Sequence, residues 1–147
     1  MSNNSGRQKE EEKCSTTKLQ GSRDRIMIID DEADITSSLK IQLEDYGFIV
    51  DRYNDPIEVL STFKPGSYDL LLIDVRMPKM NGFELYQEIK KKDDKIKVCF
   101  ITGYEVFYES LKSEFPNLNV GCFIKKPVTE GYLVKRVKAE LDLVSLG

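Results

Sequence analysis

The segment "LLIDVRMPKMNG", residues 71–82, places an acidic residue directly after a strongly apolar run. The residues from Leu70 to Ile73 have the pattern of a β-strand that is buried on both faces, and Asp74 follows them. A carboxylate at the edge of a hydrophobic sheet is costly unless a nearby group compensates its charge. The segment therefore predicts a central strand with a compensated site at its carboxyl end.

Apolar runs and helical patterns alternate on both sides of this segment. The predicted strands are residues 25–30, 48–53, 68–74, 97–102 and 120–125, and the predicted helices are residues 34–47, 55–64, 82–92, 105–115 and 130–144. Strict alternation with fully apolar strands predicts a parallel sheet covered on both faces. Because crossovers are right-handed, we expect an α/β, flavodoxin-like, doubly wound five-stranded sheet in the order 2-1-3-4-5, with five helices.

Local signals indicate where the first two helices begin and end. The first helix is predicted from apolar residues that recur at helical spacing, Ile35, Leu39, Leu43 and Tyr46, and Gly47 ends it. In the second helix, the sequence Asp-Pro at residues 55–56 predicts an N-cap followed by proline at the first helical position.

Length and composition describe one ordinary folded domain preceded by an arm. The chain has 147 residues, and residues 1–24 carry too few apolar groups to offset ordering entropy, so we expect a disordered N-terminal arm and a domain over residues 25–147. The net charge of −3 argues against nucleic-acid binding, and no apolar run is long enough for membrane insertion.

The counts of histidine and cysteine restrict the chemistry. The chain has no histidine, which excludes Ser-His-Asp and Cys-His catalysis and a histidine-ligated metal. Its three cysteines are Cys14, Cys99 and Cys122. The last two lie in apolar strand-like runs, so the sequence predicts reduced, packed thiols in a cytoplasmic protein.

Polar residues end four of the five predicted strands. Asp30 and Asp31 end the first strand, Asp74 the third, Thr102 the fourth and Lys126 the fifth. Ligands of doubly wound sheets bind beyond these carboxyl ends, between strands 1 and 3. Three converging carboxylates need a cation, and hard oxygen ligands suit Mg²⁺. The lysine and the threonine hydroxyl add groups for a phosphoryl ligand, so the joint pattern predicts a phosphoryl site.

Each of these residues taken alone also has an ordinary explanation. Asp31 could cap the helix that begins near Ala33, a threonine at a strand end is commonly a turn residue, and a lone lysine is commonly solvated. Their occurrence together is what favours a functional site.

Four segments carry a resemblance to a known family. "IMIIDDEADI", "LLLIDVRMPKMNGFEL", "VCFITGY" and "CFIKKPV" resemble the receiver domain of two-component response regulators, over about residues 24–145. The resemblance implies that Asp74 is the phosphoacceptor and that Asp30, Asp31, Asp74 and the main-chain carbonyl of Arg76 bind Mg²⁺. It also implies that Thr102 and Lys126 contact the phosphoryl oxygens.

The resemblance further implies a switching mechanism. Phe123 stands at the position of the family's switch aromatic residue, which turns inward when Thr102 moves toward the phosphoryl group, and the peptide bond between Lys126 and Pro127 is expected to be cis. Phosphorylation is then expected to reshape the surface formed by predicted helix 4, strand 5 and helix 5, through which a downstream effector binds.

The resulting expectation is a stand-alone, cytoplasmic, single-domain response regulator that is a signalling switch rather than an enzyme. Its phosphoryl donor would be a sensor histidine kinase or a histidine phosphotransfer protein, and a phosphorylation-dependent homodimer stays open. Alternatives are an intermediate carrier in a phosphorelay, a degenerate receiver acting as a scaffold, and an aspartyl-phosphate phosphatase. Such phosphatases carry a second acid two residues after the nucleophile, where this chain has Arg76.

Overall fold

The computed structural model describes residues 24–103, 113 and 122–142. Its strands are β1 (Arg25–Ile29), β2 (Ile49–Tyr53), β3 (Leu70–Asp74), β4 (Lys97–Thr102) and β5 (Phe123–Lys125), and its helices are α1 (Ala33–Glu44), α2 (Pro56–Thr62), α3 (Gly82–Lys92) and α4 (Glu130–Asp142). The strands form one parallel sheet in the order β2-β1-β3-β4-β5, which confirms the predicted five-stranded parallel sheet and its strand order.

Two predicted segments fall largely outside the described residues. The helix predicted over residues 105–115 is described only at residue 113, and the arm predicted over residues 1–24 only at residue 24. The described part of the chain contains four helices, and none of them is long and apolar enough to span a membrane.

β3 lies at the centre of the sheet and is buried on both faces. Leu71 and Ile73 face one hydrophobic cluster, and Leu70 and Leu72 face the other. All four side chains have no exposed surface, and burying each contributes about 1.5–3 kcal/mol relative to exposure. This burial fixes the backbone that carries Asp74 at the strand's end.

α1 ends earlier than its apolar pattern predicts. Leu39 and Leu43 are buried, but the helix ends at Glu44, and Tyr46 is 50% exposed. The prediction that the helix extends to residue 47 is therefore wrong by three residues: the chain has already left the helix at Tyr46, and Gly47 turns it with a φ of 95°.

The starts of α2 and α3 follow the sequence signals. Asp55 caps α2 by accepting a hydrogen bond from the Ile57 amide, with proline in the first turn as predicted. Asn81 and Glu84 form a reciprocal capping box at the start of α3. The first residue of α3, Gly82, sits so close to β3 that a Cβ there would clash with the main-chain oxygen of the strand's last residue.

The prediction of reduced thiols at Cys99 and Cys122 is wrong, because the structure joins them in a disulfide with Cα atoms 4.6 Å apart. The cause is the register of β4 and β5, in which Phe100 pairs with Phe123, so that the cysteines immediately before them are also neighbours. Both cysteines are fully buried, and the bridge links β4 to the residue that directly precedes β5. The third cysteine lies outside the described residues.

Phe100 on β4 joins three aromatic side chains. Its ring meets Phe83 and Tyr86 of α3 edge-on, with centroids 4.7 and 5.8 Å away, and stacks on Phe123 of β5 at 5.6 Å. The aromatic contacts therefore run from α3 across β4 to β5.

Candidate functional site

Three carboxylates meet at the carboxyl ends of β1 and β3. Asp30 directly follows β1, Asp31 comes next, and Asp74 is the last residue of β3. One oxygen from each lies within 4.8 Å of the others. Asp30 and Asp74 are buried, whereas Asp31 is exposed. The sheet thus brings together the acids that the sequence predicted to converge.

Lys126 reaches these acids from the other side of the site. Its Nζ donates to Asp30 Oδ2 at 2.9 Å and to Asp74 Oδ1 at 3.4 Å, and it lies 3.6 Å from a carboxylate oxygen of Glu32. The Lys126 amide donates to the carbonyl of Thr102 at 2.9 Å, which ties the lysine to the end of β4. The Lys126–Pro127 peptide bond is cis, as predicted.

The charges at this site are only partly compensated. Burial, and then the negative charge of Asp30, raise the pKa of Asp74 to about 7, although Lys126 acts in the opposite direction. Burial disfavours the charge on Lys126, but its hydrogen bond to Asp30 and the acids' charges outweigh this and raise its pKa. One ammonium therefore does not neutralise three acids, and the hard oxygen atoms fit a divalent cation such as Mg²⁺.

Thr102 and Phe123 lie on the strands beside the acids. Thr102 is buried at the end of β4, one strand away from Asp74. Phe123 is half-buried, and its ring packs on Phe100 rather than pointing into solvent. Their proposed switching roles stay predictions.

The structure places two further residues without defining their roles. Arg76 lies in the loop between β3 and α3 and is exposed, and the ligand role of its carbonyl stays a prediction. The N-cap residue of α1 is Glu32, so the alternative in which Asp31 caps this helix is wrong. Asp31 is thereby left at the mouth of the acidic site.

Sequence reasoning missed Asn54, the first residue after β2. Its side-chain amide donates to the main-chain oxygen of Asp30 at 2.7 Å and to Oγ1 of Thr36 at 3.3 Å. A signal for it was present, because β2 lies beside β1 in the predicted order and Asn54 is the polar residue that follows its end. Glu32, close to Lys126, was missed as well.

Away from the acids, an ion pair joins the N-cap of α2 to the loop that follows β3. Lys79 has a φ of 72°, a conformation uncommon for a side-chain-bearing residue, and its ammonium lies 3.2 Å from Asp55 Oδ2. The Ile57 amide and Lys79 hold the pKa of Asp55 below its usual range. Both partners of the ion pair are substantially exposed, so it contributes little to stability.

The chain matches one family model and many known proteins. The model for the response regulator receiver domain matches residues 26–138. A CpxR homolog described as a transcriptional regulatory protein of Haemophilus influenzae is 34% identical over 118 residues, which is 80% of this chain and 50% of that protein. YkoG, an uncharacterized transcriptional regulatory protein of Bacillus subtilis, is 29% identical over 79% of this chain and 50% of its own length.

Solved structures give the same fold. A CheY-like receiver domain protein from Methanospirillum hungatei has a TM-score of 0.73 and 31% identity, covering 82% of this chain and 95% of that one. The non-phosphorylated HemR receiver domain from Leptospira biflexa has a TM-score of 0.74 and 26% identity, covering 85% and 99%. The chain spans about half the length of the curated relatives it matches.

Proposed function

Because the chain belongs to the response regulator receiver domain family, we propose that it is a signalling switch controlled by phosphorylation of Asp74. The observation that carries this proposal is the contact of one lysine, Lys126, with the buried carboxylates of Asp30 and Asp74 at the end of the central strand. This arrangement holds a nucleophilic carboxylate beside positive charge, which transfer of an anionic phosphoryl group requires.

The donor is a phosphohistidine on a sensor histidine kinase or a histidine phosphotransfer protein. A carboxylate oxygen of Asp74 attacks the phosphorus in line as the phosphorus–nitrogen bond breaks, and the electron pair of that bond leaves with the histidine. The product is an acyl phosphate on Asp74, which adds about two negative charges to the site. The buried β3 backbone holds the nucleophile in place during the attack.

Mg²⁺ fits the acids that surround the nucleophile. Asp30, Asp31 and Asp74 would hold the ion with the main-chain carbonyl of Arg76, and the bound ion supplies positive charge that offsets the attacking carboxylate and the phosphoryl oxygens. Lys126 already contacts two of these acids and turns one of its donors toward the phosphoryl oxygens after transfer. Its partly buried position strengthens that interaction relative to water.

The switch follows from the new charge. The hydroxyl of Thr102 moves toward the phosphoryl oxygens, and Phe123 turns further inward against Phe100. This change alters the surface of β5, of α4 and of the helix predicted over residues 105–115, where a downstream effector or a second copy of the chain binds. The chain is a phosphoacceptor rather than a turnover enzyme, apart from reaction with small phosphoryl donors and slow self-dephosphorylation.

A cytoplasmic location follows from the proposed kinase partner. The Cys99–Cys122 disulfide stands against it, because the cytosol keeps most thiols reduced. Both sulfurs are fully buried, however, so a reductant reaches them only when β4 and β5 separate. An intermediate carrier in a phosphorelay would use the same site.

The test is uptake of phosphate by the full chain from acetyl phosphate with Mg²⁺, measured as the intact mass. We expect the wild type to gain one phosphoryl group and Asp74→Asn to gain none. Asp69→Asn is the matched control, because Asp69 immediately precedes β3 at the strand's other end, and it should behave as the wild type. Equal labelling of Asp74→Asn would refute the assignment of the acceptor.

A second experiment separates the switch from the scaffold alternative. Partners are captured with the wild type and with Asp74→Asn, each treated with acetyl phosphate and Mg²⁺. A switch predicts a partner that binds the phosphorylated wild type more strongly. A partner bound equally by both proteins would favour a scaffold.

A further inference from the structure

The peptide that joins Asp30 to Asp31 is held from the neighbouring strand. The Asp30 amide donates to the carbonyl of Tyr53 at 3.1 Å, and the Asp30 carbonyl accepts from the side chain of Asn54 at 2.7 Å. The amide and the carbonyl of Asp30, directly after β1, are thus both hydrogen-bonded to residues at the end of β2. The second of these bonds is made by a side chain and depends on the identity of residue 54.

The bond from Asn54 fixes more than one atom. The carbonyl of Asp30 and the amide of Asp31 belong to one planar peptide unit, so holding the oxygen sets the orientation of that plane. The Cα atom of Asp31 lies in the same plane, so its position is set as well. Because Asp31 is exposed, this anchor constrains an acid that the core does not hold.

The same side chain also reaches the start of α1. Its second contact is to Oγ1 of Thr36, 3.3 Å away, and Thr36 is fully buried in the first turn of the helix. The Thr36 hydroxyl in turn donates to the carbonyl of Ala33 at 2.9 Å. The amide of Asn54 therefore ties both the residue that follows β1 and the first turn of α1 to the end of β2.

We propose that Asn54 is a positioning residue that orients the Asp30–Asp31 peptide for Mg²⁺ binding. It touches neither the phosphoryl group nor the cation and acts through the two acids. The inference rests on the proposed function insofar as the acids bind Mg²⁺. Residues that orient metal ligands from behind typically change metal affinity by about 10–100-fold when removed.

The test is a calorimetric Mg²⁺ titration of the full chain, which needs no phosphorylation. Asn54→Leu has a similar size but no donor, and Asn54→Ala removes the side chain. We expect both to bind Mg²⁺ about tenfold more weakly than the wild type. Asp55→Asn is the matched control at the adjacent position: it keeps an oxygen for the α2 cap, alters only the exposed contact with Lys79, and should bind within about twofold of the wild type.

A kinetic measurement separates positioning from a general loss of structure. The rate of phosphorylation by acetyl phosphate is measured over a range of Mg²⁺ concentrations. For Asn54→Leu we expect the Mg²⁺ concentration at half-maximal rate to rise about tenfold, with the maximal rate nearly that of the wild type. A variant that was merely less stable would lose active protein and maximal rate without that shift.

The outcomes distinguish this inference from the proposed function. Mg²⁺ affinity within about twofold of the wild type in both Asn54 variants overturns the inference, even if Asp74 is phosphorylated normally. Failure of the wild type to take up phosphate, together with weakened Mg²⁺ binding by the variants, overturns the phosphoacceptor assignment and supports the positioning role. A wild type that does not bind Mg²⁺ overturns both.

Discussion

Replacing Asp74 with asparagine is expected to make the protein more stable when no metal is present. In the folded chain, burial and the charge of Asp30 raise the pKa of Asp74 to about 7, from an ordinary value of 3.8. Ionisation of Asp74 is therefore less favourable in the native state than in the unfolded chain, and at neutral pH this difference destabilises the native state. Asparagine has nearly the same shape and removes this penalty.

The size of the effect follows from the pKa. One pKa unit corresponds to 1.36 kcal/mol, so ionising Asp74 at pH 7.5 lowers the free energy of unfolding by about 4 kcal/mol. Asparagine gives Lys126 a weaker acceptor in place of a carboxylate, which offsets part of the gain. We expect Asp74→Asn to raise the free energy of unfolding by about 2–4 kcal/mol in the presence of a chelator.

The sign of the pH dependence gives a second readout. Between about pH 4 and pH 7 the folded state binds more protons at Asp74 than the unfolded chain does, so wild-type stability falls as the pH rises through this window. Asp74→Asn should lack that fall. The raised pKa of Lys126 acts only above about pH 10 and does not interfere.

The assay is urea denaturation followed by circular dichroism from pH 4 to pH 8, with chelator and with excess Mg²⁺. The matched control is Asp69→Asn, an exposed acid outside the site, which should differ little from the wild type. Mg²⁺ should narrow the difference in unfolding free energy between Asp74→Asn and the wild type, because the wild type binds the ion more tightly and is stabilised by it more. Our reasoning would be refuted if Asp74→Asn were no more stable than the wild type at pH 7.5 without metal.

Three further changes test the surrounding structure. Gly82→Ala should destabilise the protein by about 1–3 kcal/mol, because its Cβ would clash with the main chain at the end of β3. Gly131→Ala, which has open space around it in α4, should not destabilise the protein. Equal urea midpoints for the two variants would contradict the close approach of Gly82 to β3. Asn81→Ala should lower the free energy of unfolding by about 1 kcal/mol by removing the α3 cap, and a loss of less than a quarter of that in urea denaturation would argue against the capping box. Reducing Cys99–Cys122 should lower the unfolding free energy by about 3 kcal/mol, as judged from the loop it closes; identical urea curves with and without reductant would exclude a stabilising bridge.

The strands of the sheet could be predicted from the sequence because their residues are almost uniformly apolar. The order of the strands follows from handedness, and the polar residues at their ends then converge at one edge. Patterns within one segment could not show where side chains from different segments meet. The Cys99–Cys122 bridge depends on the register of β4 against β5, and the role of Asn54 depends on a bond across to β1.

The end of α1 near Tyr46 could not be predicted from the sequence either. Its spacing continues the apolar face of α1, but spacing alone does not say at which residue a helix ends. The helix ends at Glu44, and the turn that follows puts the ring outside, where the ammonium of Lys138 lies 5.5 Å from its centre. Local pattern thus overestimated the helix by three residues, since it was predicted to end at residue 47.

The burial of β3 on both faces has a consequence for hydrogen exchange. Amides in the middle strand of a sheet exchange with solvent only when much of the domain opens, so the amides of residues 71–73 should report global unfolding. Asp74 ends that strand, and the exposed Gly103 lies just beyond its neighbour β4. The backbone that carries the acceptor is therefore expected to exchange slowly, so that charge added at Asp74 meets a rigid support.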